Sequence, residues 1–216
     1  VARKIEPMVR QRVRIRFCKQ GNLRLIGHRD LVRTMERVFR RAGLRLGMSQ
    51  GFHPKPRMSF PSALAVGIEG LDEVMELELA EPCTSAELLA RLSANSLPGL
   101  VFESVEILPD GAGKARIKSA TYQVPIPSHR VAATTGRIAR LLAESAHPIQ
   151  RPQKNTTVDI RQTIEDLTLT GGVLRMRLGN SRQASASARD VLGALELGDL
   201  QEDGMYLART NVELES

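Results

Sequence analysis

The hydrophobic periods along the chain come in one order, and that order occurs twice. In RVRIRF, Val13, Ile15 and Phe17 alternate with Arg12, Arg14 and Arg16, the period-two pattern of a strand with one buried face. GHRDLVRTMERVFRRAGL then switches to helical spacing, with Leu31, Met35, Val38 and Ala42 on one side and Gly43 placed to stop the helix. RMSFPSALAVG and EVMELELA follow as two strands joined by a turn around Gly67 to Asp72, with Met75, Leu77 and Leu79 alternating with Glu76 and Glu78. Thr84-Ser85 can cap a second helix, SAELLARLSANS, and GLVFESVEIL reads as a fourth strand. The order is β-α-β-β-α-β, the split βαβ or ferredoxin-like arrangement.

After a Gly- and Lys-containing joint, PDGAGKARIKS, the order repeats. ATYQVPIP is a strand, and HRVAATTGRIARLLAES is a helix that can turn Val131, Ile138, Leu141 and Leu142 to a core. IEDLTLTGGVLRMRLGN is a hairpin with Gly171-Gly172 at its turn. SARDVLGALELG supplies a short helix and GMYLARTNVELE a last strand. The sequence therefore predicts an α+β protein of two tandem ferredoxin-like (β-α-β-β-α-β) halves with antiparallel sheets. Residues 1–11 would be an N-terminal extension, 12–110 a basic domain, 111–119 a linker and 120–216 a second domain. The repetition is one of element order, because the residues of the two halves show little identity.

Charge separates the halves. Residues 1–60 hold 16 Lys and Arg against 3 Asp and Glu, which leaves 15 basic and 21 acidic residues of the chain's 31 and 24 for the remainder. A surface that meets a polyanion thus belongs to the first third. No run approaches the roughly 18 apolar residues of a membrane span, and no basic-apolar-small signal segment opens the chain, so a cytoplasmic protein without membrane contact is expected. Cys18 and Cys83 are the chain's two cysteines, too few for a disulfide framework and without metal-ligand spacing, so no metal site or iron–sulfur cluster is expected in this chain.

On a helical wheel Arg29, Arg33, Arg37, Arg40 and Arg41 fall opposite Leu31, Met35, Val38 and Ala42. Two readings stand: a solvated amphipathic face, and a ridge for a polyanion. Arginine favours the second, since its planar fork matches phosphate oxygens and stacks on bases. The strand arginines are different. First and third strands are neighbours in this arrangement, so Arg14 and Arg16 are expected to pair with Glu76 and Glu78. Aromatic residues make up 3% of the chain and tryptophan is absent, which speaks against a sheet-borne RNA platform.

Between the first helix and the second strand lies QGFHPKPRMSFPS. Gly51 permits a positive φ, and Pro54 and Pro56 stiffen an extended loop. Such a loop can present Phe52, His53, Lys55 and Arg57 beside the arginine ridge as a clamp for an RNA backbone and one stacked base. Phe52 as a core plug under the loop is the competing reading.

GHRDLVRTMERVFRRAGL followed by MSQGFHPKPRMSFPSALAVGIEG resembles the signature of the radical-SAM-linked family, bacterial domains of unknown function. VDIR (Val158 to Arg161) and RTNVEL agree more weakly. Asp30, Gly51, Phe52, Pro54 and Pro56 match the family pattern, while Gly27 stands where a serine is usual, Arg29 where leucine is usual, and His53 in place of a frequent asparagine. The resemblance implies a radical SAM protein, fused or encoded nearby, as partner. That partner would carry the iron–sulfur cluster, S-adenosylmethionine and cobalamin, with no cofactor in this chain. It also implies a loose similarity to ferredoxin-like RNA-processing proteins.

Catalytic candidates are weak. His28 or His53 could act as a general acid in RNA cleavage, and Asp30 could attack a base. Asp30 equally reads as a first-turn helix cap, and His28, on the apolar side of the wheel, as a packed histidine. No GxGxxG, Walker, HExxH or GxSxG motif occurs. The expectation is a non-catalytic partner that binds RNA, such as tRNA, or presents a substrate. A metal-independent RNA-processing enzyme and a protein–protein adaptor are the alternatives.

Overall fold

The computed structural model describes residues 11–151, 156–180 and 186–215. The expected N-terminal extension therefore lies, but for Gln11, outside the described residues. The protein is α+β and divides into two compact units, one running to Val66 and resuming over Gly70–Arg116, the other comprising Gly67–Glu69 and Ile117 onward. Of the expected linker, residues 111–116 fall in the first unit and Ile117 to Ser119 open the first strand of the second.

The first unit contains β1 (Gln11–Lys19), a 3-10 turn (Gly21–Leu25), α1 (His28–Arg41), β2 (Met58–Ser59), β3 (Glu69–Leu79), α2 (Ser85–Ala94) and β4 (Leu100–Ile107). β1 lies between β4 and β3, antiparallel to both, and β2 pairs antiparallel with β3. The period-two pattern sets the register: Val13 faces Leu77 and Ile15 faces Met75, so the apolar members of both strands share one face. Leu31, Met35, Val38 and Phe39 of α1, with Leu88 and Leu92 of α2, close over that face with Val13, Ile15 and Phe17. Each large side chain so enclosed contributes about 1.5–3 kcal/mol. Burial thus fixes which side of α1 is left to carry arginine.

The second strand is far shorter than RMSFPSALAVG suggests: only Met58 and Ser59 pair. Pro61 has no N–H to give a ladder, and its ring fixes φ, so strand geometry ends there. β3, in contrast, extends back to Glu69. Thr84 caps α2 as expected, accepting from the Glu87 N–H while the Glu87 carboxylate accepts from the Thr84 N–H.

The second unit contains β5 (Ile117–Pro125), a 3-10 turn (Ser128–Arg130), α3 (Val131–Ala143), β6 (Pro148–Arg151), β7 (Thr156–Asp159), the single turn α4 (Ile160–Thr163), β8 (Ile164–Thr170), β9 (Val173–Gly179), α5 (Ala188–Ala194) and β10 (Ala208–Leu214). β5 lies between β10 and β9, and β9 pairs with β8, all antiparallel. The β8–β9 hairpin turns at Gly171 and Gly172, with φ of +58° and +75°, the two positive values that a type I′ turn requires. In α3 the buried stripe is Thr134, Ile138 and Leu141, while Leu142 is exposed. The small hairpin β6–β7 and α4 stand between α3 and β8, in a stretch to which the sequence pattern assigns no element. Among the described residues no helix is long and apolar enough to cross a membrane.

Candidate nucleic-acid interface

α1 starts at Gly27, whose extended backbone (φ −73°, ψ 169°) is that of an N-cap without a capping side chain. Asp30 sits in the first turn but forms an ion pair with Arg33 at 3.5 Å rather than serving as a cap. The other end is closed by Gly43, at φ +64°, with Leu44 N–H donating to the Phe39 carbonyl at 3.0 Å, a Schellman turn. Arg91 of α2 donates to the Ala42 and Gly43 carbonyls as well.

All five predicted arginines of α1, Arg29, Arg33, Arg37, Arg40 and Arg41, are exposed. Apart from Arg33, none of them forms an ion pair among the described residues. Two adjacent clefts flank them. The first, about 470 Å³, is lined by Arg33, Glu36, Arg37 and Arg40 from the helix and by Leu44, Leu46 and Pro56 from the chain that follows. The second, about 340 Å³, is lined by Thr34, Arg37, Arg40, Arg41 and Leu97. Arg37 and Arg40 form the wall common to both.

The segment after α1 is a protruding hairpin built against β3. Gly47 N–H donates to Glu78 (2.7 Å), Arg57 N–H to Gly47 (2.8 Å) and Ser49 N–H to Lys55 (2.8 Å). Its tip, from Gln50 to Lys55, is exposed, with Gly51 at φ +133°. Phe52 is fully exposed at 103% of its reference area; it points outward, and the core-plug reading is overturned. His53 and Lys55 are exposed beside it. Arg57 is not offered outward in the same way, because its Nε donates to the Met48 carbonyl (3.2 Å) and its Nη1 approaches Glu78 (3.5 Å). The structure thus brings a phenylalanine, a histidine and a lysine to one loop tip of the unit that carries the arginine helix.

The arginines of β1 and several of those in the second unit are neutralised by carboxylates. Arg12 and Arg14 both bind Glu76 at 3.0 Å, a carboxylate with 5% of its side chain exposed, and Arg14 also reaches Glu106. Arg16 pairs with Asp72 at 2.6 Å and not with Glu78, because β1 and β3 run antiparallel and Glu78 lies across from Arg12. In the second unit Arg130 binds Asp199 and Asp203, Arg137 binds Glu196, and Arg177 binds Glu165 and Glu213. Arg29, Arg37, Arg40 and Arg41 of α1 differ from these in lacking carboxylates among the described residues, and their grouping on one helix marks the surface.

Of the catalytic candidates, His28 is exposed at the first position of α1, not packed in the core, with its ring edge-to-face on Phe60 at 5.1 Å. The cysteines are both free, Cys18 buried and Cys83 half-buried. Burial first, then the Glu103 carboxylate, pushes the Cys18 thiol up to about 11, so it is no nucleophile at neutral pH. Among the described residues no group of three or more His, Cys, Asp or Glu side chains is placed to hold a metal. The sequence reading missed Glu36, which lines the first cleft. Its signal was present: Arg33, Glu36, Arg37 and Arg40 follow the i, i+3, i+4, i+7 spacing of one helix stripe.

Residues 12–189 match the model of a family described as an uncharacterized protein conserved in bacteria (DUF2344). No curated protein matches the chain. The crystal structure of an unknown protein from Galdieria sulphuraria aligns with 96% of this chain and 100% of its own, at 11% identity and a TM-score of 0.29, too distant to carry an argument.

Proposed function

The chain belongs to this uncharacterized bacterial family, and we propose that it acts without chemistry of its own, binding the phosphate backbone of RNA as a partner that presents substrate to a cobalamin-dependent radical SAM enzyme. The observation that carries the RNA half of the reading is the set of α1 arginines. Arg29, Arg37, Arg40 and Arg41 have no carboxylate partner among the described residues and lie together on one helix, whereas the β1 arginines and Arg130, Arg137 and Arg177 of the second unit are held by carboxylates. Guanidinium groups on one rigid ridge suit phosphate oxygens spaced along a strand. The partner half rests on the resemblance of the blocks at 27–44 and 48–70 to the radical-SAM-linked signature. The neighbour orders β4-β1-β3-β2 and β10-β5-β9-β8 support reading each unit as a ferredoxin-like half.

Electrophoretic shift with bulk tRNA at rising salt tests the RNA reading. Neutralising about four phosphates gives a slope of log affinity against log salt near −3 to −4. The double variant Arg33→Glu/Arg37→Glu should lose most of the affinity and flatten that slope. Binding that ignores salt, or that survives the double variant unchanged, would sink it.

A further inference from the structure

A pure phosphate clamp has no use for a carboxylate at its centre, yet Glu36 lines the first cleft together with Arg33, Arg37 and Arg40. The side chain is half-buried and forms neither an ion pair nor a hydrogen bond among the described residues, although arginines stand three residues before it and four after. Its acceptor oxygens are therefore uncommitted, and against a phosphate they would only repel. They suit a ligand group that donates hydrogen bonds while its neighbouring phosphates are held by the arginines.

From this we infer that the cleft seats one unpaired guanine base, with Glu36 as the residue that selects it. Guanine alone among the RNA bases presents two parallel N–H donors, N1–H and the N2 amine, on its Watson–Crick edge, and two parallel donors match the two oxygens of a carboxylate. Adenine and cytosine offer one donor beside an acceptor, and uracil a single N–H between two acceptors. Leu44, Leu46 and Pro56 supply the apolar wall against which a base face packs. Leu44 and Leu46 also pack on the core of the unit, and Leu46 bridges to Leu79 of β3, so that wall is fixed. A volume of about 470 Å³ lies within the range of small-ligand sites. Because the Watson–Crick edge must be free, the site takes single-stranded RNA and not duplex.

This inference rests on the phosphate-binding reading above, and one experiment separates the two. Fluorescence anisotropy is measured with a labelled oligouridylate, the same oligomer carrying one guanosine, and the same carrying one inosine, which keeps N1–H but lacks the N2 amine. Wild-type protein should prefer the guanosine oligomer over oligouridylate by about tenfold, with inosine between. Glu36→Gln, which keeps the shape but removes one acceptor, should compress that preference to under about twofold while binding oligouridylate at least as tightly as wild type. Equal binding of all three oligomers, or a guanosine preference untouched by Glu36→Gln, overturns the guanine assignment and leaves the phosphate reading standing. Failure of the wild-type protein to bind any of them at low salt overturns both.

Discussion

Arg91 of α2 grips the end of α1: its Nε and Nη2 donate to the Ala42 carbonyl at 3.0 and 2.7 Å, and Nη2 to the Gly43 carbonyl at 2.7 Å. A helix leaves its last carbonyls without partners and carries partial negative charge there. A guanidinium fork satisfies both demands and ties the two helices together. Arg91→Met keeps the stem and removes the fork, and should cost about 2 kcal/mol in urea unfolding. Arg91→Lys should recover only part, since an ammonium cannot present the same fork. Full recovery by lysine would reduce the contact to simple charge.

Glu76 and its two arginines yield a second expectation. Its carboxylate accepts from Arg12, Arg14 and the Ala115 N–H, with 5% of its side chain exposed. Glu76→Gln halves the acceptors, leaves the half-buried Arg12 guanidinium without its carboxylate and leaves Arg14 with Glu106 alone. The cost should be about 3 kcal/mol, the lower end for broken buried pairs because Arg12 and Arg14 retain some water. A melting temperature within a degree or so of wild type would show that solvent compensates.

These contacts also show what local pattern can and cannot convey. The inward faces of β1 and α1 were legible because period-two and 3.6-residue spacing translate directly into burial: Val13, Ile15 and Phe17, and Leu31, Met35 and Val38, are all inside. Lys19 follows the same inward alternation as Val13, Ile15 and Phe17 and is 1% exposed, its Nζ donating to the Ile26 carbonyl at 3.0 Å; its charge concealed what its position stated. The second strand was overdrawn because the apolar content of Phe60 to Val66 outweighed Pro61 in the reading. Arg57 looked like its neighbour Lys55, but the chain reversal at Gly51 brings Met48 to it and the pairing with β3 brings Glu78. The hairpin β6–β7 had no alternation strong enough to announce it.

The bare N-cap of α1 offers a stabilising change. Gly27 already has N-cap backbone angles, and a Cβ added there would meet only Asp30 Oδ2, at 4.0 Å. Gly27→Ser supplies a hydroxyl that can accept from the Asp30 N–H, with Asp30 at the N3 position of a capping box. A gain of a few tenths of a kcal/mol is expected in chemical unfolding, since glycine itself is a tolerable cap. A loss would mean that Asp30, freed from Arg33, does not turn back to the helix end.

Acid should act mainly on the second unit. The Asp199 carboxyl lies below its ordinary 3.8, chiefly through its hydrogen bond from Arg130. Glu213 lies below 4.5 through Lys118 and then Ser119, and Asp159 below 3.8 through the His147 N–H first. For Asp190 burial works the other way and is the largest influence, but the Ser187 N–H and Arg151 together outweigh it. A carboxyl whose folded value is depressed contributes its full stabilisation above the unfolded value and loses it as pH falls through the folded one. Stability should therefore be level above about pH 5 and fall steadily below about pH 4. Thermal melts across that range check it, and Asp199→Asn should shallow the decline.

Phe52 separates function from folding more cleanly than any arginine does. Its ring is fully exposed on the tip of the 47–57 hairpin, so the fold gains nothing from it, and an exposed aromatic is a stacking platform for a base of a single strand. Phe52→Ala should leave the urea midpoint unchanged within about 0.5 kcal/mol. The same variant should weaken binding of single-stranded RNA by about tenfold, the effect of losing one stacked base. Phe52→Trp should restore or improve it, because indole offers a larger face. Heparin, a polyanion without bases, should bind wild type and Phe52→Ala alike. Loss of heparin binding together with RNA binding would mean that Phe52 holds the loop in place beside the arginine helix and does not itself touch a base.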